Sequence, residues 1–274
     1  ASAVVMNCKN GEILAIASSP SYDPNKFVKG ISYSDFNELR DNEFRPLASK
    51  TVQDAYPPGS TFKIVTALSA LEANIIGPKD SFTCSGKMEI SNRFFHCWKN
   101  GGHGKMDLIK SLSESCDVYF YELALKVGIE RINKMATKLG LGVKHDVPMS
   151  AITKGLMPSR EWKLNNRERE WLVGDTVNAS IGQGYVLSSP LQLAVMAARL
   201  ASGKKVNPIL TKSINGQNVN NLSNIEDLDI DKSYLKVIRK ALFQASNDRR
   251  GTAYGSRVID DAYRMAGKTG TSQV

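Results

Sequence analysis

Ser60 and Lys63 are the two residues whose types and spacing first indicate chemistry. Two prolines and a glycine break regular structure just before Ser60, and apolar residues then recur at helical spacing up to Glu72. A serine at a helix start lies near backbone N–H groups that favour developing negative charge. A partly desolvated lysine one turn later could lose its proton and serve as base. The same four-residue pattern also fits an N-cap serine beside a solvated lysine, so further motifs must decide.

Two more short motifs follow Ser60-x-x-Lys63 in a recognised order. Ser115-Cys116-Asp117 separates two predicted helices, and Lys268-Thr269-Gly270-Thr271 lies on the last predicted extended run. Ser-x-x-Lys, then Ser-x-Asn or Ser-x-Asp, then Lys-Thr-Gly is the three-part pattern of penicillin-interacting serine enzymes. Each motif is weak alone, but the three in this order and in these structural contexts are specific.

A cluster of cysteines and histidine suggests a metal site. Cys84, Cys97 and Cys116 lie close together in the sequence, with His103 among them. Three thiolates and an imidazole suit tetrahedral Zn²⁺, although the spacings are not those of a zinc finger. His96 is an alternative nitrogen ligand. A disulfide or a buried free thiol would explain the same cysteines without a metal.

The elements that must position these motifs predict an α+β domain. Asn10-Gly11 between two apolar, β-rich runs is the strongest short signal for an antiparallel hairpin. The segments 19–55, 77–107 and 140–178 are predicted to consist mainly of loop. Helices are predicted over 60–72, 108–113, 118–127, 129–139, 190–201 and 232–246, and an extended run over 262–271. If that last run pairs with the hairpin, an antiparallel sheet packed with helices results, plus an all-helical lobe.

Composition favours a globular domain. The 274 residues are 42% hydrophobic and 23% charged, and the net charge is +9. The basic residues are scattered and not set among aromatic side chains, so we expect no nucleic-acid partner; an anionic membrane or polymer explains the charge as well. No apolar run approaches the ~20 residues needed to cross a bilayer, and no signal peptide opens the chain. We therefore expect a piece of a larger protein.

The chain resembles the transpeptidase domain of class B penicillin-binding proteins, in the elongation-type penicillin-binding protein 2 group. The resemblance covers essentially the whole chain and implies the penicillin-binding/serine β-lactamase-like transpeptidase fold. The segments that carry it are Tyr56-Pro57-Pro58-Gly59-Ser60-Thr61-Phe62-Lys63, Gly101-Gly102-His103-Gly104, Ser115-Cys116-Asp117-Val118-Tyr119-Phe120-Tyr121, Met157-Pro158-Ser159-Arg160-Glu161-Trp162, Ile181-Gly182-Gln183-Gly184-Tyr185 and Gly267-Lys268-Thr269-Gly270-Thr271-Ser272.

The activity that the resemblance implies is acyl transfer on the D-Ala-D-Ala end of a peptidoglycan stem peptide, forming crosslinks during cell elongation. Ser60 would attack the penultimate D-Ala carbonyl, and an amine of a neighbouring stem would then take the acyl group. Lys63 would accept the Ser60 proton, and Ser115 would relay a proton to the leaving amine. Lys268 would hold Lys63 and Ser115 in electrostatic register.

The resemblance also implies how substrate is held. Lys268 would attract the substrate carboxylate, and Thr269 and Thr271, on either side of Gly270, would hydrogen-bond it. The backbone N–H groups of Ser60 and Thr271 would form the oxyanion hole. β-Lactams would mimic the substrate and trap Ser60.

Asp117 departs from the pattern of most of the superfamily, which has Asn at this position. An ionised Asp cannot donate a hydrogen bond to substrate, so we expect Asp117 to pair with a lysine instead. The elongation-type group resembles this variant, so Asp117 stays among the expected catalytic residues.

We expect one transpeptidase domain over 1–274, with a sheet lobe roughly over 1–50 and 230–274 and a helical lobe roughly over 51–229. The family fold continues with further strands and a C-terminal helix after the third motif. Those elements, and the N-terminal anchor and pedestal regions, are expected to be absent from this chain.

Some elongation-type relatives carry a metal near the active site, at positions that match Cys97, His103 and Cys116. A fourth ligand falls in the loop around Cys84. The resemblance therefore implies a structural zinc, which would fix the position of the adjacent Ser115.

The partners implied by the resemblance are stem peptides, β-lactam inhibitors, a membrane glycan polymerase of the shape, elongation, division and sporulation family, and other elongation-complex proteins. The implied location is the periplasmic face of the bacterial inner membrane.

Two alternative functions keep the same motifs. A serine β-lactamase or D,D-carboxypeptidase would share them, and a β-lactamase would also need a group that activates water, for which Glu161 and Glu168 are candidates. A catalytically silent, zinc-stabilised module that binds cell-wall peptides is the third possibility. The intact Ser60, Lys63 and Lys268 argue against it.

Overall fold

The computed structural model describes residues 1–218 and 225–272. The strands are β1 Ser2–Met6, β2 Ile13–Ser18, β3 Ser81–Cys84, β4 Lys87–Ile90, β5 Arg93–His96, β6 Gly104–Asp107, β7 Ser213–Ile214 and β8 Gln217–Asn218. The helices are α1 Asn25–Val28, α2 Tyr33–Arg40, α3 Lys63–Glu72, α4 Leu108–Ser113, α5 Asp117–Val127, α6 Ile129–Lys138, α7 Arg160–Arg167, α8 Val173–Ser180, α9 Pro190–Ser202 and α10 Lys232–Asn247. Among these described helices, none has the length and apolar character to span a membrane.

The first two strands form the predicted hairpin. β1 and β2 are antiparallel, with Ser2 opposite Ser18 and an irregularity between Val5 and Met6. Their inner side chains pack with a small core that includes Leu191 of α9. The hairpin is thereby fixed against the helices.

The helix α3 runs through the centre of the larger core. All its residues from Lys63 to Leu71 are buried, and the hydroxyls of Thr66 and Ser69 among them donate to backbone carbonyls. It packs against α5, α6 and α10. Lys63 therefore enters the protein interior, where a charged group requires partners.

The helices predicted over 108–113, 118–127, 129–139, 190–201 and 232–246 are confirmed, with boundaries shifted by at most one residue. The three predicted loops were partly wrong. Two short helices lie within 19–55, α7 and most of α8 lie within 140–178, and two antiparallel strand pairs, β3 with β6 and β4 with β5, lie within 77–107. Strands of four residues are too short to show a clear alternation, and α7 is polar almost throughout, so neither gave a periodic signal.

The last run does not pair with the hairpin in the part of the chain that the structure describes. A 3₁₀ turn covers Asp261–Tyr263, and the described sheets are all two-stranded. The backbone beyond the turn bonds elsewhere: the Gly267 N–H donates to the Leu242 carbonyl of α10 at 3.1 Å. The α+β class is confirmed, but the predicted pairing of the last strand with the hairpin is not observed among the described residues.

Candidate active site

Ser60 lies in a tight turn at the entrance to α3. The segment Gly59–Phe62 forms a 3₁₀ turn and the α-helix begins at Lys63, so the predicted start of the α-helix at Ser60 was three residues early. In a 3₁₀ turn residues three apart lie on the same side, which places Lys63 on the face of Ser60. Gly59 has a φ of +56°, and its N–H donates to the Gly182 carbonyl at 3.0 Å. A side chain at position 59 would collide with the Thr271 backbone, so Gly59 permits the third motif to lie against the first.

Lys63 is fully buried and donates to three acceptors. Its Nζ lies 2.8 Å from the Ser115 carbonyl oxygen, 3.2 Å from the Ser115 Oγ and 2.7 Å from the Asp117 Oδ1. An ammonium has three protons, so these contacts match the charged form of the lysine. The Asp117 carboxylate supplies the opposite charge that a buried ammonium requires, which confirms the expectation that Asp117 pairs with a lysine.

Ser115 joins the first and third motifs. It lies between α4 and α5 with a left-handed φ of +57°. Its Oγ accepts from Lys268 Nζ at 2.8 Å as well as from Lys63 Nζ at 3.2 Å. A hydroxyl has two lone pairs and one proton, so when both lysines donate, the Ser115 proton is left for a third group. This arrangement suits a group that gives a proton to a leaving amine.

Lys268 is half-buried beside the other two motifs. Its Nζ donates to the Ser115 Oγ and, at 3.0 Å, to the Thr269 carbonyl. Burial, and secondarily the nearby Lys63 ammonium, lower the pKa of Lys268 to about 7, against the opposing effect of Asp117. Lys268 is therefore poised to change its charge near neutral pH.

Two residues near the third motif were not predicted as part of the site. The Thr252 and Thr269 hydroxyls are hydrogen-bonded at 2.7 Å, and Gln183 Nε2 donates to the Thr271 carbonyl at 3.1 Å. Gln183 lies in a turn that the resemblance already included, whereas no spacing or residue type singled out Thr252. Gly270 lies where an added Cβ would be only 3.1 Å from the Pro58 carbonyl oxygen, so the third motif fits closely against the Ser60 turn.

Residues of all three motifs line a cleft of about 810 Å³. Ser60 lines it and is partly exposed, whereas Lys63 and Lys268 lie behind the lining residues. Phe94 and Phe95, which line the cleft, were not predicted and come from β5, which the sequence suggested was loop. The lining residues are Ser60, Phe94, Phe95, His96, Cys97, Trp98, Ser115, Asp117, Tyr121, Asn178, Ile181, Gln183, Thr252, Thr269, Gly270 and Thr271.

The predicted metal ligands come together beside this cleft. The ligand atoms of Cys84, Cys97, His103 and Cys116 all lie within 4.8 Å of one another, and the three thiols are buried. His103 presents Nδ1 to the sulfurs, at 3.7 Å from Cys84 Sγ and 3.5 Å from Cys97 Sγ. The four cysteines of the chain, all within the described residues, are free thiols, so the disulfide alternative is not observed. His96, the alternative nitrogen ligand, is not part of this group.

The donor set fits a thiophilic metal ion. A hydrogen bond from Cys116 lowers the pKa of Cys97 to about 5, whereas the same bond and burial raise the pKa of Cys116. The backbone N–H of Asp117 also donates to Cys97 Sγ at 3.4 Å. One thiolate is thus already favoured at neutral pH, and thiolates with an imidazole in a compact buried group are ligands that zinc accepts. The Cys84–Cys97–His103–Cys116 group could hold a metal.

Comparison with known proteins gives a consistent result. The family model described as the penicillin binding protein transpeptidase domain matches residues 1–274. The peptidoglycan D,D-transpeptidase MrdA of Acinetobacter baumannii is 37% identical over 279 residues, covering 99% of this chain and 41% of that protein. The chain therefore spans less than half the length of this curated relative.

Solved structures agree with the sequence comparison. Pseudomonas aeruginosa PBP2 in complex with WCK 5153 superposes with a TM-score of 0.92 and 37% identity, over 100% of this chain and 60% of that one. PBP2 of Helicobacter pylori, solved in complex with MreC, gives a TM-score of 0.91 and 34% identity, over 100% and 50%. These matches confirm the fold and the resemblance to the penicillin-binding protein 2 group. Since the family model covers every residue, the chain belongs to the penicillin-binding protein transpeptidase domain family.

Proposed function

We propose that this chain carries a peptidoglycan D,D-transpeptidase that crosslinks stem peptides during cell elongation. The observation that supports it best is the Ser115 hydroxyl, which accepts hydrogen bonds from the lysines of both other motifs. Ser60 lines the same cleft. A nucleophile, two lysines and a proton-donating hydroxyl are the groups that acyl transfer through a serine ester requires.

In this proposal Ser60 Oγ attacks the penultimate D-Ala carbonyl, and the peptide C–N bond breaks. Ser115 gives its proton to the leaving D-Ala amine, and an amine of a neighbouring stem later displaces Ser60. Thr269 and Thr271 bind the substrate carboxylate beside Lys268, and the N–H groups of Ser60 and Thr271 stabilise the oxyanion. Thr252 adds a hydroxyl next to Thr269.

Two lysines compete for the Ser60 proton. The sequence assigns that role to Lys63, which in this structure donates to three acceptors and must lose a proton before it can act. Lys268 has a pKa of about 7 and contacts Ser115, through which it could receive a proton. The dependence of acylation on pH separates the two routes.

Two of the alternatives, a β-lactamase that uses Glu161 or Glu168 and a silent binding module, are less well supported by the structure. Glu161 and Glu168, the candidates for activating a deacylating water, are exposed on or just after α7 and are not among the residues that line the cleft. A silent binding module would not need Lys63 buried against Asp117 and Ser115, since burying a charge is costly.

We further propose that the Cys84–Cys97–His103–Cys116 group holds a structural zinc. The ion would supply a fixed link between β3, the β5–β6 loop and the start of α5. Its ligand Cys116 lies between Ser115 and Asp117, and Cys97 accepts from the Asp117 N–H. The zinc would therefore restrain the second motif.

Partners and location are proposals that rest on the family. The Helicobacter pylori relative was solved with MreC, so we propose that the protein works with elongation-complex proteins of this kind and with a membrane glycan polymerase. We also propose a periplasmic location. We keep the division into a sheet lobe and a helical lobe that the sequence predicts.

Intact mass after incubation with benzylpenicillin tests the central claim. We expect a stable adduct on the protein and on Ser213→Ala, an exposed serine outside the cleft, and none on Ser60→Ala. An adduct that clears quickly would indicate a β-lactamase, and no adduct on the parent would contradict the proposal. Incubation with a pentapeptide stem and an amine acceptor then separates crosslinking from release of D-Ala alone, which would indicate a carboxypeptidase.

A further inference from the structure

The backbone of Ser115 is held in a conformation that serine rarely adopts. Its φ is +57°, in the left-handed region where the Cβ of an L-residue meets the carbonyl oxygen. Such a conformation persists only where surrounding contacts determine it. The Ser115 carbonyl oxygen has two such contacts, from Lys63 Nζ at 2.8 Å and from the indole N–H of Trp98 at 3.0 Å.

Trp98 contacts this segment at two further points and also contacts His103. Its indole N–H also reaches the Glu114 carbonyl at 3.1 Å. Its backbone N–H donates to Asp117 Oδ2 at 2.9 Å, and its ring meets His103 edge-on with 5.3 Å between centroids. One residue thus contacts the backbone before Ser115, the carbonyl of Ser115 and the carboxylate after it.

Burial does not explain where the Trp98 side chain lies. It is 59% exposed, so little of the ring is fixed by packing. The hydrogen bonds therefore determine its position, and an exposed tryptophan whose N–H is directed at two backbone carbonyls acts on the backbone.

We propose that Trp98 is a positioning residue for the acylation of Ser60, an inference that rests on the proposed function. Its indole N–H holds the Ser115 peptide in the left-handed conformation, which places the Ser115 Oγ where Lys63 and Lys268 both reach it. Without this N–H the peptide relaxes, and the Ser115 hydroxyl loses its fixed position. The chemical step then slows, while binding of substrate in the cleft is little changed.

The test removes only the N–H. Replacing Trp98 with 3-benzothienylalanine keeps the ring shape and the backbone N–H to Asp117, and Trp98→Phe is the genetically encoded counterpart. The matched control is Trp171→Phe. The indole N–H of Trp171 also donates a hydrogen bond, to the Thr176 hydroxyl at 2.8 Å, and Trp171 does not line the cleft. Acylation by benzylpenicillin is measured by stopped flow, so that the acylation rate constant k2 and the dissociation constant Kd are obtained separately.

We expect k2 to fall about 3- to 10-fold in both Trp98 variants, the effect of one lost hydrogen bond. In the 3-benzothienylalanine variant, which keeps the ring that lines the cleft, Kd should stay within about twofold of the parent. Trp171→Phe should leave both constants unchanged. Zinc content and Tm are measured alongside. An unchanged k2, a change confined to Kd, or a loss of k2 that follows loss of zinc would overturn the proposal.

A second readout does not depend on activity. Amide hydrogen exchange at Ser115 and Cys116 should be faster in the Trp98 variants than in the parent and in Trp171→Phe. Absence of an adduct on the parent would count against the proposed function alone. Unchanged exchange at these amides would count against the role of Trp98, whatever the activity.

Discussion

The Nζ of Lys63 lies 2.7 Å from Oδ1 of Asp117, and this pair joins α3, which follows the Ser60 turn, to α5, which begins at Asp117. Lys63 is fully buried, so it requires a countercharge that an asparagine could not provide. The second oxygen of Asp117 accepts from the Trp98 N–H. The aspartate in place of asparagine is thus explained by charge balance within the protein.

Asp117→Asn should destabilise the protein and slow acylation. Removing one partner of a buried ion pair leaves an uncompensated charge, and we expect a loss of about 3 kcal/mol in the free energy of unfolding. The acylation rate should fall roughly tenfold or more, because a rise of about 1.4 kcal/mol in the activation free energy already slows a reaction tenfold. Urea unfolding and stopped-flow acylation measure the two effects.

Asp175→Asn is the control for that variant. Asp175 forms a comparable ion pair with buried Lys163, and neither residue lines the cleft. It should lower stability while the folded protein acylates at the parent rate. If Asp117→Asn acylates as fast as Asp175→Asn, the Lys63–Asp117 pair has only a structural role.

The acylation reaction should change with pH near 7. Lys268 faces Lys63 and Asp117, and its pKa of about 7 makes it charged below and neutral above that pH. If Lys268 receives the Ser60 proton through Ser115, k2 for benzylpenicillin should rise with pH through 7, because the neutral amine is the acceptor. Kd should increase over the same range, because a neutral Lys268 no longer attracts the carboxylate of the β-lactam.

Lys268→Arg should remove the changes of k2 and of Kd near pH 7, since arginine stays charged throughout this range. A parent profile that is flat between pH 6 and 8.5 would exclude Lys268 as the acceptor and favour the assignment of Lys63.

The sequence predicted the grouping of the three motifs better than it predicted the sheet. Short motifs of fixed spacing singled out Ser60, Lys63, Ser115, Asp117 and Lys268, which the structure brings together. Helices such as α10 showed clear periodicity. The strands between Ser81 and Asp107 were missed because each has only four residues, and their pairing spans up to 26 positions, from Ser81 to Asp107. Local patterns carry no information about such partners.

Trp98 and Thr252 were missed for a different reason. Both act through contacts made only after folding: an indole N–H to a backbone carbonyl, and a hydroxyl to Thr269. Neither contact is encoded in residue spacing. The Cys84–Cys97–His103–Cys116 group was predicted, although its spacings match no zinc finger, because its members are rare residue types close together in the sequence.

Metal removal should destabilise the protein. If the Cys84–Cys97–His103–Cys116 group binds zinc, elemental analysis should give about one zinc per chain, and a strong chelator should lower Tm, because binding free energy of a structural zinc contributes to folding. Cys116→Ser should lose the zinc and acylate more slowly. Cys8→Ser, outside the group, should retain both zinc and activity. A parent protein without zinc, or with a disulfide among these cysteines, would contradict the proposal.

Gly59→Ala should separate the Ser60 turn from the third motif. Gly59 has a φ of +56°, and an added Cβ would collide with the backbone of Thr271. The segment around Thr271 must then move away, and with it the Thr271 N–H that we assign to the oxyanion hole. Loss of such a donor typically costs ~100-fold in rate, so k2 should fall on that order. Gly77→Ala is the control, because a Cβ there meets no atom within 4 Å and the backbone is not left-handed. Stopped flow measures k2 for both variants. Equal values of k2 would show that the Thr271 N–H does not depend on this close contact for its position, and that other groups stabilise the oxyanion.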